Sequence, residues 1–185
     1  MNKRLVAVFA FLLFAMPASA QQGAVIGPVP SAVGTAARGQ IPGESSNAAA
    51  TAGNIGEIIE SSVASGSAVS INPSGSSVNV TSVSLTAGRW YCFGNVGTSL
   101  GAGTINTALV AWITTTSATL PTSPNGGGYV QYVDTSAPAN QNQWLGVPGK
   151  FYTVSSTTTV YLGAFANFSV STLNVYGYIG CVRTS

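Results

Sequence analysis

Two β-rich runs close the sequence, residues 157–168 and 172–182, joined through Ser169, Val170 and Ser171. Both are dense in Thr, Val, Tyr, Phe and Ile, the residues that suit a pleated, half-buried surface, and together they read as a closing hairpin. Alternation along the second run sets Leu173, Val175, Ile179 and Cys181 on one face and Tyr176 and Tyr178 on the other. The first face suits a core. The tyrosine face needs a cover, and a neighbouring subunit is the candidate, so Tyr176 and Tyr178 are expected at a subunit interface. The only other cysteine is Cys92, in a similar aromatic run, so the end of the chain is expected to be tied back to its middle.

Upstream, strand signals recur at the spacing of a sandwich or barrel rather than alternating with helices. Residues 54–63 could form a helical turn or a first strand, because Ile55, Ile58 and Ile59 have helical spacing; an edge strand is favoured. Residues 68–72 are followed by a turn at Pro73, Ser74 and Gly75. In residues 78–85 the inward set Val78, Val80 changes phase to Val83, Leu85, as a β-bulge at Thr81 or Ser82 would produce. Residues 89–96 carry Trp90 and Cys92 on one face, Tyr91 and Phe93 on the other. A Gly-rich loop is expected over 97–103. Over residues 104–116 both alternating sets are apolar, Ile105, Leu109, Ile113 and Ala108, Val110, Trp112, which implies a central strand or one whose second face meets another subunit. Residues 117–149 are the least regular, with a short strand at 129–134 and a polar loop at 136–143.

Charged residues make up only 5% of the 185 residues, far below the quarter usual in soluble proteins, so surface polarity must come from hydroxyls and amides. Residues 1–20 have the form of a secretory signal peptide: Lys3 and Arg4, an apolar run over 5–15, and Ala18, Ser19, Ala20 before Gln21, with cleavage expected after Ala20. The alternative is an uncleaved anchor. Removal of the signal leaves Arg38, Arg89, Lys150 and Arg183 against Glu44, Glu57, Glu60 and Asp134, a formally neutral chain. No basic stripe remains to attract nucleic acid, and no later segment is apolar for long enough to insert stably in a membrane. Residues 21–53, rich in Ala, Gly, Pro and Ser, read as a tether, which leaves residues 54–185 as one β-sandwich domain.

Few residues suggest chemistry. The chain has no histidine, which removes the commonest general base and metal ligand together. Without it, a serine nucleophile could draw only on Lys150 as base. Glu57 and Glu60, three apart, are better explained as solvated surface acids than as a glycosidase pair. No catalytic, metal or cofactor site is expected. In an exported chain an even cysteine count favours a Cys92–Cys181 disulfide, the alternative being two buried thiols. Trp112, Tyr129, Tyr132 and Trp144 are the candidates for a platform that stacks on sugar rings, with Trp144 and Tyr132 nearest the polar loop. The N-x-[ST] matches at Asn79 and Asn167 fall within expected strands and read as coincidental.

Five segments in order, NIGEIIESSVASGSAVSI, NVTSVSLTAGRW, WITTTSATLP, TTTVYL and FSVSTLNVYGYI, resemble a domain found at the C-terminal ends of tail-fibre and related virion proteins of tailed phages and prophages. The similarity spans about residues 54–183. The resemblance implies a jelly-roll-like antiparallel β-sandwich that assembles as a homotrimer and serves as a tip, attaching to a cell-surface glycan or protein. It brings no catalytic residues. The chain departs from the pattern at Cys92 and Cys181, and only a short tether precedes the domain. A secreted bacterial carbohydrate-binding or adhesive surface protein is therefore the alternative. Either way the expected location is exported: periplasmic, extracellular or on a virion surface.

Overall fold

The computed structural model describes residues 50–122 and 128–185; the expected signal peptide and all of the tether up to residue 49 lie outside the described residues. Nine strands and one 3₁₀ turn follow in order: β1 (Ile58–Val63), the turn (Ser65–Ser67), β2 (Val69–Ile71), β3 (Ser77–Leu85), β4 (Gly88–Leu100), β5 (Ile105–Thr114), β6 (Tyr129–Val133), β7 (Trp144–Val154), β8 (Thr158–Ser169) and β9 (Leu173–Arg183). They form two antiparallel sheets. One has the order β1-β9-β4-β7, with β2 also paired to β9, and the other the order β3-β8-β5-β6. The sheets pack face to face as the expected all-β sandwich. Counting β1 and β2 as one interrupted edge strand, consecutive strands swap sheets at every step except β5 to β6, which is jelly-roll topology.

This topology corrects the closing hairpin. β8 pairs with β3 and β5, whereas β9 pairs with β1, β2 and β4 in the opposite sheet. The link between them is a corner between sheets, not a hairpin turn, and sequence adjacency alone could not distinguish the two. The expected alternation in β9 does hold, with Leu173, Val175, Ile179 and Cys181 fully buried. They join Trp90, Val96, Leu109, Ile113, Leu162 and their neighbours in one core between the sheets.

Residues 54–63 supply the expected edge strand, β1. The phase change in β3 is also present, but the register shifts between Asn79 and Thr81, so the extra residue is Val80, one position earlier than expected. Val80, Val83 and Leu85 are all buried as a result. The loop expected over 97–103 is shorter: β4 continues through Gly97 to Leu100, paired throughout with β9. Gly97 stays in the ladder because aromatic rings from both neighbouring strands close over it, as described below.

The expectation that β5 is two-sided and central is met within a single chain. It lies between β8 and β6, and Ala108, Val110 and Trp112 on its outer side are as buried as Leu109, Ala111 and Ile113 on its inner side. Trp112 lies across Gly163 of β8, where any Cβ would collide with the indole. The apolar second face of β5 therefore needs no second subunit.

Two devices fix β9. Cys92 and Cys181 face each other in the β4–β9 ladder and are joined by a disulfide, both fully buried. It closes a sequence separation of 89, worth about 4–5 kcal/mol on the chain-entropy account. At the far end of β9 the buried Arg183 donates from Nε to Glu57 Oε2 at 2.9 Å and from Nη1 to the Ala87 carbonyl at 2.7 Å, and from Nη2 to the Thr86 hydroxyl. Its guanidinium also lies 4.4 Å from the centre of the Trp90 ring. Gly88, at φ 146°, leaves the space that the guanidinium occupies. One side chain thus joins the entry to β1, the β3–β4 turn and the last strand.

The Gly53 N–H bond, together with the Arg183 hydrogen bond and charge, holds the Glu57 carboxyl below the ordinary glutamate value of 4.5, against the opposing effect of desolvation. A depressed carboxyl contributes stability that is complete above its unfolded value and is lost as pH falls through the folded one. Glu57→Gln should therefore be less stable than wild type in denaturant titrations at pH 7, and the gap should narrow as pH drops below 4.5. A gap that stays constant with pH would exclude the pair as the cause. Reduction of Cys92–Cys181 should lower unfolding free energy by about 4–5 kcal/mol, read as a shifted guanidinium midpoint.

Candidate functional site

The outer face of the β1-β9-β4-β7 sheet is where the chain places exposed aromatic area. Arg89, Tyr91 and Phe93 point outward from β4, opposite in phase to the buried Trp90 and Cys92. Phe151 of β7 pairs with Tyr91, and Gly180 of β9 with Phe93. The rings form a continuous diagonal: Phe151 to Tyr91 at 4.9 Å between centroids, Tyr91 to Phe93 at 6.3 Å and Phe93 to Tyr178 at 6.3 Å. Arg89 caps one end, its guanidinium 4.7 Å from the Phe151 ring centre. Glu60 on β1 caps the other, accepting the Tyr178 hydroxyl at 2.9 Å. Farther along the same face, Trp144 and Tyr176 meet edge to face at 5.0 Å.

Glycines make this face flat. Tyr91 lies over Gly149, Tyr178 over Gly180, and Trp144 and Tyr176 both close on Gly97, where an added Cβ would stand 3.0 Å from each. A ring with no side chain beneath it, on the adjacent strand for Tyr91, Trp144 and Tyr176 and two residues along its own strand for Tyr178, lies down along the sheet. The outcome is a shelf of ring faces with Trp144 59% and Phe151 52% exposed. Isolated apolar residues on a surface are ordinary, whereas these rings form one connected patch.

Trp144 is placed by a buried polar knot. Gln143, just before it, exchanges backbone bonds with Thr98: the Thr98 N–H reaches the Gln143 carbonyl at 3.0 Å, and the Gln143 N–H reaches Thr98 Oγ1 at 2.8 Å. The Asn106 and Gln143 amides meet at 2.7 Å; with both amides turned so that Gln143 Nε2 donates to Asn106 Oδ1, the Asn106 nitrogen donates to the carbonyls of Ala108 and Asn167, and the otherwise unpaired Gln143 Nε2 gains its partner. The polar loop thus ends in a rigid anchor, and the next residue projects from the first position of β7.

The sequence candidates separate. Trp144 is exposed on the shelf, but its partner is Tyr176, not Tyr132. Tyr129 and Tyr132 lie on β6 in the other sheet, where Tyr132 donates to Asp134 at 2.9 Å. That bond raises the Tyr132 hydroxyl, while the Ser136 N–H and the same tyrosine hold the Asp134 carboxyl low. Trp112 is fully buried and offers no face to a ligand, a correction that follows from Gly163 opening a slot for its indole. Tyr176 and Tyr178, expected at a subunit interface, are half-buried members of the shelf itself. Burial, followed by the bond to Glu60, raises the Tyr178 hydroxyl. Glu57 is held by Arg183 while Glu60 serves Tyr178, so the two carboxylates do not face a common site. Among the described residues there is no cluster of three His, Cys, Asp or Glu suited to a metal.

Tyr91, Phe93 and Phe151 were not anticipated as site residues. Alternation put the first two opposite Cys92, yet the informative signal was the glycine in the facing strand, and that requires knowing the register. Comparison of the chain with protein-family models and with curated proteins gives no match. The geometry itself offers ring faces and almost no charge, a surface for stacking against the apolar face of a flat, weakly charged ligand.

The glycine arrangement is directly testable. A Cβ at Gly177 would overlap the Asn95 carbonyl, so Gly177→Ala should cost about 1–3 kcal/mol in urea denaturation, whereas Gly146→Ala, with open space around it, should stay within about 0.5 kcal/mol.

Proposed function

We propose that this protein is an exported, non-enzymatic attachment module, a homotrimeric tip that lays its aromatic sheet face on a cell-surface glycan. What carries this is the shelf formed by Trp144, Tyr176, Tyr91, Phe93, Phe151 and Tyr178, held flat by glycines and left open on one side. Sugars present hydroxyl-poor ring faces that stack on such rings, and binding of this kind needs neither a strong charge nor a metal. The five sequence segments that resemble tail-fibre tips fit the same role, and the jelly roll is an architecture used by viral and lectin domains alike. Fold alone would not settle the function, because one fold hosts many.

The second reading is a secreted bacterial adhesin using the same face. It is favoured by the buried disulfide, which suits an oxidising compartment. Among the described residues no helix is long and apolar enough to cross a membrane. A gene neighbourhood rich in tail-assembly functions would favour the virion component over the adhesin.

On a glycan array the wild-type chain should retain a defined set of glycans, and Trp144→Ala should weaken that binding at least about tenfold, equivalent to 1.4 kcal/mol, without changing the melting temperature. An array with no retained glycan would overturn the glycan assignment and leave a protein receptor. Light scattering should give three chain masses; a single chain mass would overturn the trimer.

A further inference from the structure

At one end of the sandwich the β2–β3 turn and the β8–β9 corner enclose a cleft of about 310 Å³. That is the low end of the range for small-molecule sites, enough for one small ring and too little for a chain. Its lining holds no charged residue. Ser70, Asn72, Ser169, Ser171 and Thr172 give it a neutral polar lining, with Pro73 and Phe168 as apolar wall, and the Ser171 and Thr172 hydroxyls stand beside Gly101. The Ser74 hydroxyl is already engaged, accepting the Phe168 N–H at 2.8 Å, and this bond ties the two turns together. A second tie runs from the Gly75 N–H to the Ala166 carbonyl at 2.8 Å. The walls are thus fixed by bonds between the segments that form them.

Val170 stands at the lip. It is 78% exposed and has φ 81°, a conformation that a β-branched residue adopts only under strain. Strained residues of this kind concentrate at ligand sites. An asparagine or glycine would relieve the turn, yet the position holds an apolar side chain against the opening.

Strand pairing links the wall of the cleft to the aromatic shelf. Ser70, in its wall, pairs with Asn174 of β9, and Asn174 pairs on its other side with Ser99 of β4. Two residues along β9 lies Tyr176, which shares Gly97 with Trp144. Thr172 to Tyr176 covers about 13 Å at the strand rise, and the surface between is neutral and polar.

We propose that this cleft binds one neutral, hydroxyl-rich sugar ring and is the terminal subsite of an oligosaccharide whose following rings cross Ser70, Asn174 and Ser99 to stack on Tyr176 and Trp144. It rests on the attachment role in one respect, that the ligand of the shelf is a glycan. An uncharged lining accommodates a carboxylated or sulfated sugar poorly, because nothing there replaces the hydration of the anion. Serine and threonine hydroxyls both donate and accept, as the hydroxyls of a neutral sugar do.

The test uses the full exported chain, labelled with ¹⁵N, titrated with D-glucose, D-galactose, D-mannose and N-acetyl-D-glucosamine, and with D-glucuronic and N-acetylneuraminic acids as charged counterparts. At least one neutral sugar should shift the amides of residues 70–74 and 168–172, with a dissociation constant on the order of 1 mM. The acids should bind at least about tenfold more weakly. Ser70→Tyr, which fills the cleft from an exposed strand position, should abolish the shifts, and Trp144→Ala should leave them intact. Absence of shifts with all neutral sugars, equal binding of the acids, or unchanged binding by Ser70→Tyr would each overturn the cleft assignment. Array binding that depends on Trp144 but not on Ser70 would sink the cleft and keep the shelf. Cleft shifts with no Trp144-dependent array binding would sink the shelf instead.

Discussion

The capture of the last strand between the first and the fourth is the constraint on which this molecule depends. Among the described strands, β9 alone pairs with both the domain entry, through β1 and β2, and the middle of the chain, through β4. Antiparallel pairing between segments so far apart in sequence carries a large loop-closure cost before it is repaid. The Cys92–Cys181 bond removes much of that cost from the unfolded side, because the oxidised chain can no longer separate these two strands. Arg183 acts on the folded side. A buried guanidinium is tolerable only when most of its donors are met, and here a carboxylate, a carbonyl, a hydroxyl and the Trp90 ring meet them. These contacts give the β9 terminus one position rather than a frayed set.

With β9 fixed, the surface becomes a question of what a chain with so few charges can expose. Its solution differs between the two sheets. On the β3-β8-β5-β6 sheet the largest outward side chain, Trp112, sinks across Gly163 and is buried by its own chain. On the β1-β9-β4-β7 sheet the same device of ring over glycine is repeated at Gly149, Gly180 and Gly97, but the rings remain accessible. The local physics is identical and the consequence is opposite: on one side it completes a covering, on the other it builds a shelf.

The sequence carried most of the strands and their boundaries to within about four residues, the edge position of β1, the central position of β5 and the disulfide; it missed the start of β7, which begins at Trp144 inside the stretch read as irregular through residue 149. These are properties of single runs, or of a cysteine count, and alternation and turn residues state them directly. It did not carry which runs pair. The β8–β9 corner looked like a hairpin because pairing depends on where the chain goes after Ser169, and the turn contains Val170 in a backbone region that its side-chain type does not announce. The site suffered for the same reason. Trp144 was legible as an aromatic beside a polar loop, but its partner Tyr176 lies 32 positions away and is adjacent only because both pair with Gly97. Trp112 looked equally available until Gly163 was seen beneath it.

That dependence on register bears on how the shelf can vary. The glycines are structural partners of the rings, so a substitution at Gly97 or Gly149 reorients a ring as surely as replacing it would. The rings are exposed or half-buried and lie outside the core, which is held by the separate inner set around Trp90, Leu162 and Ile179. Ring identity can therefore change with small cost to folding while the glycine positions cannot. A scaffold divided in this way separates the problem of staying folded, solved on the inner face and by β9, from the make-up of the outer face, which is left free to vary.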